Sequence, residues 1–377
     1  MITTPKINAT ALIVISLIPF FYLFQIVKDN AMYLNFLSFG VLFLFLILIS
    51  LFNNIKHKFK FSIGDGLFSS FILFYIIILN YNNERVGFSS YLIVLYLIVL
   101  CFNFINIKLD ISSVKKSLTY IIITYFLVSL VLTFFPQYYG VYGLDLRYIG
   151  LSTSPTVFGI VSLMLYIVFI GFLSDNFVLK IFLYILLIYL LMVSGSRINL
   201  IVGLLIPLYL SFINYKKLFF KYNKILYLII LITLLLVYPL YSTLKVPDAV
   251  DYLNRISSGD SDRTRFYYST ILFTAIENGN LNSLFFGHGS NASLALLGDE
   301  SHKPHNDYLR IIYDYGIFFF IFFFISLFNI FKKNKYTSFL VLIYLFSFYH
   351  NMIFDMYIFM LLFFISKLTY KRLEHAK

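Results

Sequence analysis

The sequence predicts an all-α polytopic membrane protein of about twelve transmembrane helices, and three observations carry that expectation. Of its 377 residues 60% are hydrophobic and only 12% charged, far more apolar surface than a soluble domain of this length needs. Apolar runs of about 17–25 residues recur along nearly the whole chain, each long enough to cross a hydrocarbon core of roughly 30 Å as a helix. A β-barrel would show short alternating segments instead. Finally, the lysines and arginines gather in alternate loops, as they do when one side of a membrane is the cytoplasm.

In order, the runs are Thr10–Val27, Ala31–Phe52, Leu67–Leu79, Ser90–Ile105, Leu118–Phe135, Thr156–Leu173, Val178–Val193, Ile198–Ile213, Ile225–Tyr241, Tyr308–Phe331, Tyr336–Tyr349 and Met352–Leu368. The first lacks a small-residue cleavage site and reads as a retained helix. Lys56, Lys58 and Lys60, then Lys108, Lys115 and Lys116, then Lys216, Lys217, Lys221 and Lys224, then Lys332, Lys333 and Lys335 all fall between spans on one side. Lys371 and Arg372 join them, so both termini are expected in the cytoplasm. Much of the +12 net charge is thus a topology signal and not a nucleic-acid footprint. The single cysteine, Cys101, sits in an apolar run and excludes an intrachain disulfide or a cysteine-rich metal site. The whole chain, 1–377, reads as one integral membrane domain.

Two polar loops remain for the outer side. The first, Pro136 to Pro155, is "PQYYGVYGLDLRYIGLSTSP": Tyr138, Tyr139, Tyr142 and Tyr148 surround Arg147, and Gly140, Gly143 and Gly150 supply turns. Aromatic faces beside hydrogen-bonding groups suit sugar rings; an interfacial aromatic belt would show the same residues. Between the seventh and eighth spans stands "SGSRIN". Arg197, with Ser194, Ser196 and the free N–H groups of a helix start, suits an anion near the bilayer surface, although an arginine there can also simply snorkel.

The second outer loop covers 242–307 and is expected to contain short helices. "SGDSDRTRFYYSTILFTAI" has a helix start at Ser261 or Asp262 and mixes apolar with polar residues, which predicts a helix on the membrane surface or against the bundle. Arg263 and Arg265 occupy its first turn, where they oppose the helix macrodipole and favour a compensating anion. "NGNLNS" and "FGHGSN" then turn the chain back towards "HKPHNDYLR". The His302-x-x-His305 spacing is not a zinc-protease pattern, and Pro304 forbids an ordinary helix interior, so no metal is assigned. No Gly-x-Ser-x-Gly elbow suggests a hydrolase. A neutral histidine as general base fits better, with arginines holding a diphosphate by paired charge-assisted hydrogen bonds.

Four stretches resemble the O-antigen ligase and O-antigen polymerase superfamily of bacterial envelope glycosyltransferases. "LRYIGLSTSPTVFG" resembles its Arg-x-x-Gly segment, "SGSRINL" its Ser-Arg motif, and "DRTRFYYSTIL" leading to "LFFGHG" its arginine-led helix and Gly-x-Gly turn. "HNDYLRIIYDYG" resembles the His-Asn-x-x-Leu block that opens a late helix and ends in glycine. The likeness covers roughly Arg147 to Gly316. It departs from the pattern in having tyrosines where the arginine-led helix often has tryptophan, and two candidate arginines two residues apart.

The resemblance implies a GT-C-like architecture in the bacterial cytoplasmic membrane, with the active site facing outwards. It implies transfer of glycan from undecaprenyl diphosphate to an acceptor hydroxyl, with inversion and without metal or cofactor. His305 would be the base, and Arg197 with Arg263 or Arg265 would bind diphosphate. Arg147, Tyr148, Ser196, His302, Asn306 and Tyr308 would line the substrate, with Asn306 supporting His305. A polymerase of lipid-linked repeat units is favoured. A ligase transferring finished glycan to lipid A–core or protein, and a flippase for the same lipids, are the competing readings. Charges in outer loops rather than mid-span favour the enzyme over the transporter. Membrane lipids and a chain-length regulator are the expected partners.

Overall fold

The computed structural model describes residues 109–110, 115–142, 145–152, 154–174, 176–215, 261–289, 292–297, 306–331, 335–347 and 368–369. The first four predicted spans and the ninth lie outside these residues, as does the twelfth apart from Leu368. The described residues are mostly helical. They form helices α1 (Lys115–Leu132), α2 (Pro155–Val168), α3 (Phe177–Val193), α4 (Arg197–Tyr215), α5 (Ser261–Glu277), α6 (Leu281–Phe286), α7 (Ala292–Leu296), α8 (Asp307–Phe331) and α9 (Lys335–Ser347). Two helices are long and apolar enough to cross a membrane by length and composition, Lys115–Leu132 and Pro155–Leu173, the second including a closing π-helical turn, Phe169–Leu173.

Helix α2 is the centre of the bundle. It is apolar on every side, and such a helix is stable only when surrounded. Helices α1, α3, α4 and α9 all pack on it, and every residue from Val157 to Val168 is buried. Its start is set by Ser154, whose side chain accepts the Val157 N–H at 3.2 Å, and by Pro155, whose missing N–H costs nothing in a first turn. At its other end Gly171 lies against the ring of Tyr336 in α9, where a Cβ would come within 2.7 Å.

Helices α3 and α4 are packed closely on each other and carry apolar residues outwards. Gly203 faces Leu191, so any side chain there would push the helices apart. Pro207 interrupts the α4 ladder because it has no N–H to offer the Gly203 carbonyl one turn earlier. The Tyr184 hydroxyl donates to that carbonyl at 3.3 Å and replaces the lost bond. On the outer faces Phe177, Ile181, Ile185, Tyr189 and Met192 of α3, with Ile201, Leu204, Leu205 and Leu208 of α4, are exposed. A contiguous exposed apolar face with a sealed interior belongs to a protein whose solvent is lipid.

Three features depart from the sequence expectation. The tyrosine-rich loop is an antiparallel hairpin, with β2 (Tyr139–Tyr142) paired to β3 (Asp145–Tyr148) and Arg147 opposite Gly140. A short parallel pair joins β1 (Leu109–Asp110) to β4 (Leu368–Thr369), so Leu368 ends in a strand and not in a helix. The tenth span is not one continuous helix. At Gly316 the backbone has φ 80 and ψ 169 and α8 kinks, a conformation open essentially to glycine alone.

Candidate functional site

Two separated stretches meet in one pocket, and a third carries further expected site residues elsewhere in the fold. At the end of α3 the Ser194 N–H still reaches the Leu190 carbonyl, and Gly195, at φ 62, turns the chain out of the helix. Ser196 follows and its carbonyl accepts the Leu200 N–H at 2.9 Å, which starts α4 at Arg197. This turn is locked from the side. Asn199 Nδ2 donates to Ser196 Oγ and to the Thr156 carbonyl, both at 2.9 Å, and Gly159 of α2 leaves the room that the Asn199 side chain fills. Ser194, Ser196 and Asn199 are therefore buried as the frame of the turn, while Arg197 stands exposed beyond it.

The hairpin brings the second stretch to the same place. Tyr148 is fully buried; its hydroxyl donates to the Ser129 carbonyl of α1, and its ring meets Phe158 of α2 edge-on at 5.1 Å. Burial without a charge partner raises the Tyr148 hydroxyl above its ordinary pKa, so at neutral pH it remains a donor. With Tyr148 anchored, alternation along the strand puts Arg147 on the other face. Its aliphatic stem passes over Gly195, where a Cβ would stand 3.4 Å from Arg147 Cδ. Arg147 and Arg197 consequently line one pocket of about 480 Å³, with Ser196 and Gly195 at its base and Leu146, Leu191, Met192 and Leu200 as apolar walls. Such a cavity offers two guanidinium groups beside an aliphatic wall, which suits the phosphate end of an amphiphile.

The third stretch is the start of α8. Asn306 Oδ1 accepts the Leu309 N–H at 3.3 Å, so it caps the helix. Tyr308 is buried, with its hydroxyl donating to the Leu345 carbonyl of α9 at 2.8 Å. Helix α5 holds Arg263 and Arg265 in its first turn and packs on α8 through Leu272, Leu309 and Tyr313. The side chains of Arg263 and Arg265 lie outside the described residues, as do His302 and His305 altogether. Thus Arg147, Ser196 and Arg197 share a pocket, while Asn306 and Tyr308 belong to the separate packing of α8. Among the described residues no group of three or more His, Cys, Asp or Glu side chains converges as a metal site would require.

Sequence reasoning missed the polar core under this face. Arg310 and Asp314, 3% and 0% exposed, form an ion pair one helical turn apart, Arg310 Nε to Asp314 Oδ2 at 3.4 Å. Asp314 also accepts the Ser293 N–H at 2.7 Å and the Ser293 hydroxyl at 3.0 Å, which fixes α7 to α8. The signal was present as "RIIYD", an i,i+4 charge pair in an apolar run.

Over residues 182–324 the chain matches the family model described as O-antigen ligase. The match covers less than half of the chain and supports its likeness to the O-antigen ligase/polymerase superfamily. The matched segment contains Ser196, Arg197, helix α5, the Gly-x-Gly turn and the start of α8, whereas Arg147 lies ahead of it. No curated protein and no solved structure matches the chain. Members of that superfamily are glycosyltransferase-like enzymes, and the likeness agrees with the exposed apolar faces of α3 and α4.

Proposed function

We propose that the protein polymerises undecaprenyl-diphosphate-linked oligosaccharide repeat units into O-antigen or capsular polysaccharide on the outer side of the bacterial cytoplasmic membrane. The observation that carries this reading is the pocket shared by Arg147 and Arg197. Its cations face an aliphatic wall continuous with the exposed apolar faces of α3 and α4, so a lipid diphosphate can enter it from the bilayer without its chain leaving apolar surroundings. About twelve spans in a GT-C-like arrangement complete the proposal. Support for the topology comes from two pairings: β1 meets β4, both from segments assigned to the cytoplasm, and the tyrosine hairpin meets the Ser-Arg turn, both assigned outside.

In the proposed reaction His305 takes the proton from an acceptor hydroxyl. The freed oxygen attacks the anomeric carbon opposite the diphosphate, and the bond from that carbon to the phosphate oxygen breaks with inversion. Diphosphate leaves with the electron pair, and Arg197 with one of Arg263 or Arg265 holds its growing charge, the role a metal takes in other transferases, while Arg147 binds the glycan or its carrier. His305→Ala is expected to abolish transfer at near-normal membrane level, and His302→Ala to be milder. EDTA is expected to leave the rate unchanged. Near-wild-type turnover by purified His305→Ala would remove the base assignment.

The decisive experiment is in cells carrying Arg197→Ala. Single lipid-linked repeat units should accumulate on the outer face, translocated but not joined. Units trapped on the cytoplasmic face would make the protein a flippase, and long chains left on the carrier would make it a ligase. Reporter fusions at Lys217 and Asn282 should report opposite sides; the same side for both would break the site.

A further inference from the structure

We infer that His288, in the Gly-x-Gly turn after α6, is a glycan-binding residue that accepts a hydrogen bond from a sugar hydroxyl through Nε2. The inference rests on the glycosyltransferase reading above, and its starting point is the kink in α8. A regular helix would give the carbonyls of Tyr313 and Asp314 to the N–H groups four residues on, beyond Gly316. The kink withdraws those donors. The turn replaces them, with the His288 N–H reaching the Tyr313 carbonyl and the Gly289 N–H the Asp314 carbonyl, both at 2.9 Å.

Gly287 and Gly289, at φ 79 and 106, make this approach possible. A Cβ on Gly287 would strike the Asp314 carbonyl, and one on Gly316 the Phe285 carbonyl. Two glycines in restricted conformations thus clamp a single histidine between them, and strain of this kind gathers where a side chain must be held in one place.

The imidazole itself is fixed three ways. Its backbone is bonded to α8. Its ring stacks on Tyr313 at 4.2 Å between centroids and 16° between planes. Its Nδ1 lies 3.2 Å from the Tyr313 carbonyl. A carbonyl can only accept, so Nδ1 carries the hydrogen, and in the neutral ring the lone pair is left on Nε2, directed away from that carbonyl. The residue as a whole remains exposed. A histidine serving only to hold the turn would need Nδ1 and the stacked face; nothing in the fold requires an oriented acceptor on the open edge.

Position selects the ligand class. Tyr313 lies six residues into α8, so the ring stands about 9 Å along the axis from Asp307, where the His305–Asn306 block begins the helix. Under the glycosyltransferase reading an acceptor glycan held near the start of α8 is close enough to reach this point, and the outer face of the exposed His288 ring, with one oriented acceptor at its edge, matches a sugar ring's apolar face and an equatorial hydroxyl.

The two ring nitrogens can be separated by substitution. Asn at 288 places an amide donor where Nδ1 was and keeps the bond to Tyr313, whereas Gln places its amide oxygen where Nε2 was. Purified full-length protein in lipid nanodiscs would be given the lipid-linked oligosaccharide extracted from the cells of origin, and KM, kcat and equilibrium binding measured. His288→Asn should raise KM about tenfold and weaken binding equally, as loss of one net hydrogen bond does, with kcat within about twofold. His288→Gln should stay within about threefold of wild type. A wild-type KM in His288→Asn overturns the inference, as does a larger loss in His288→Gln accompanied by a lower melting temperature. Two controls run alongside keep the ideas apart: normal His288→Asn beside an inert His305→Ala condemns His288 alone, an active His305→Ala removes only the base assignment, and wild-type protein that turns over no lipid-linked substrate condemns the glycosyl-transfer reading beneath both.

Discussion

Arg197 and Arg310 are the same residue type at the starts of two helices, yet one stands at the rim of a pocket and the other is sealed inside the protein. Arg197 begins α4, exposed, above a frame of Ser194, Ser196 and Asn199 whose hydrogen bonds are made to one another and to backbone. Arg310 lies in the first turn of α8 with Asp314 beside it and Ser293 completing the carboxylate's partners. The frame around Arg197 therefore sets its guanidinium at an exposed pocket rim, while the frame around Arg310 buries its charge against a carboxylate. A count of charged residues in a polar stretch does not distinguish these cases; the partner on the same helix face does.

The comparison can be broken most sharply at Asp314. Asp314→Ala leaves the Arg310 charge buried without its partner and should cost about 3–5 kcal/mol of stability, read as a lower thermal midpoint in detergent. Replacing both at once, Arg310→Met with Asp314→Leu, should recover most of that loss. An unchanged midpoint with lost activity would place the pair in the chemistry and dissolve the contrast. Arg197→Ala is the opposite case. It should lower kcat by about 30- to 1000-fold, roughly 2–4 kcal/mol of transition-state stabilisation, with the thermal midpoint unmoved. Lys should rescue it poorly because an ammonium lacks the paired planar donors.

Smaller effects sharpen the same contrast. Arg147→Ala, on a strand that merely passes over Gly195, should raise KM for the lipid-linked substrate about tenfold, roughly 1.4 kcal/mol, and change kcat less than Arg197→Ala does. The least change is expected from Tyr184→Phe. It removes the donor that satisfies the Gly203 carbonyl beside Pro207 and should cost about 1 kcal/mol, measured by thermal unfolding, with turnover intact.

Hydropathy made the described helices legible to within a few residues: Leu118–Phe135 was expected where Lys115–Leu132 forms, and Val178–Val193 where Phe177–Val193 forms. The Ser-Gly-Ser-Arg turn was legible for the same local reason, since glycine after an apolar run and serine before the next mark a helix end and start. The meeting of Arg147 with Arg197 was not. They are 50 residues apart in sequence, and what joins them is the anchoring of Tyr148 beneath α1 and the absence of a side chain at Gly195. The kink at Gly316 was hidden because the apolar run continues through it, and hydropathy is blind to a reversed φ. Nor were the structural partners of two expected substrate residues legible: Tyr308 bonds to α9 and Asn306 caps α8.

The kink at Gly316 also sets a length. Beyond it α8 keeps about fifteen residues, Ile317 to Phe331, which at 1.5 Å each extend about 22 Å, short of a hydrocarbon layer of roughly 30 Å. A hydrocarbon layer of full thickness beside this segment must therefore thin locally, at a cost of a fraction of a kcal/mol per Å of mismatch. Bilayer thickness thus becomes a variable of the protein's proposed activity: reconstituted turnover should rise as acyl chains are shortened towards the span this segment can cover.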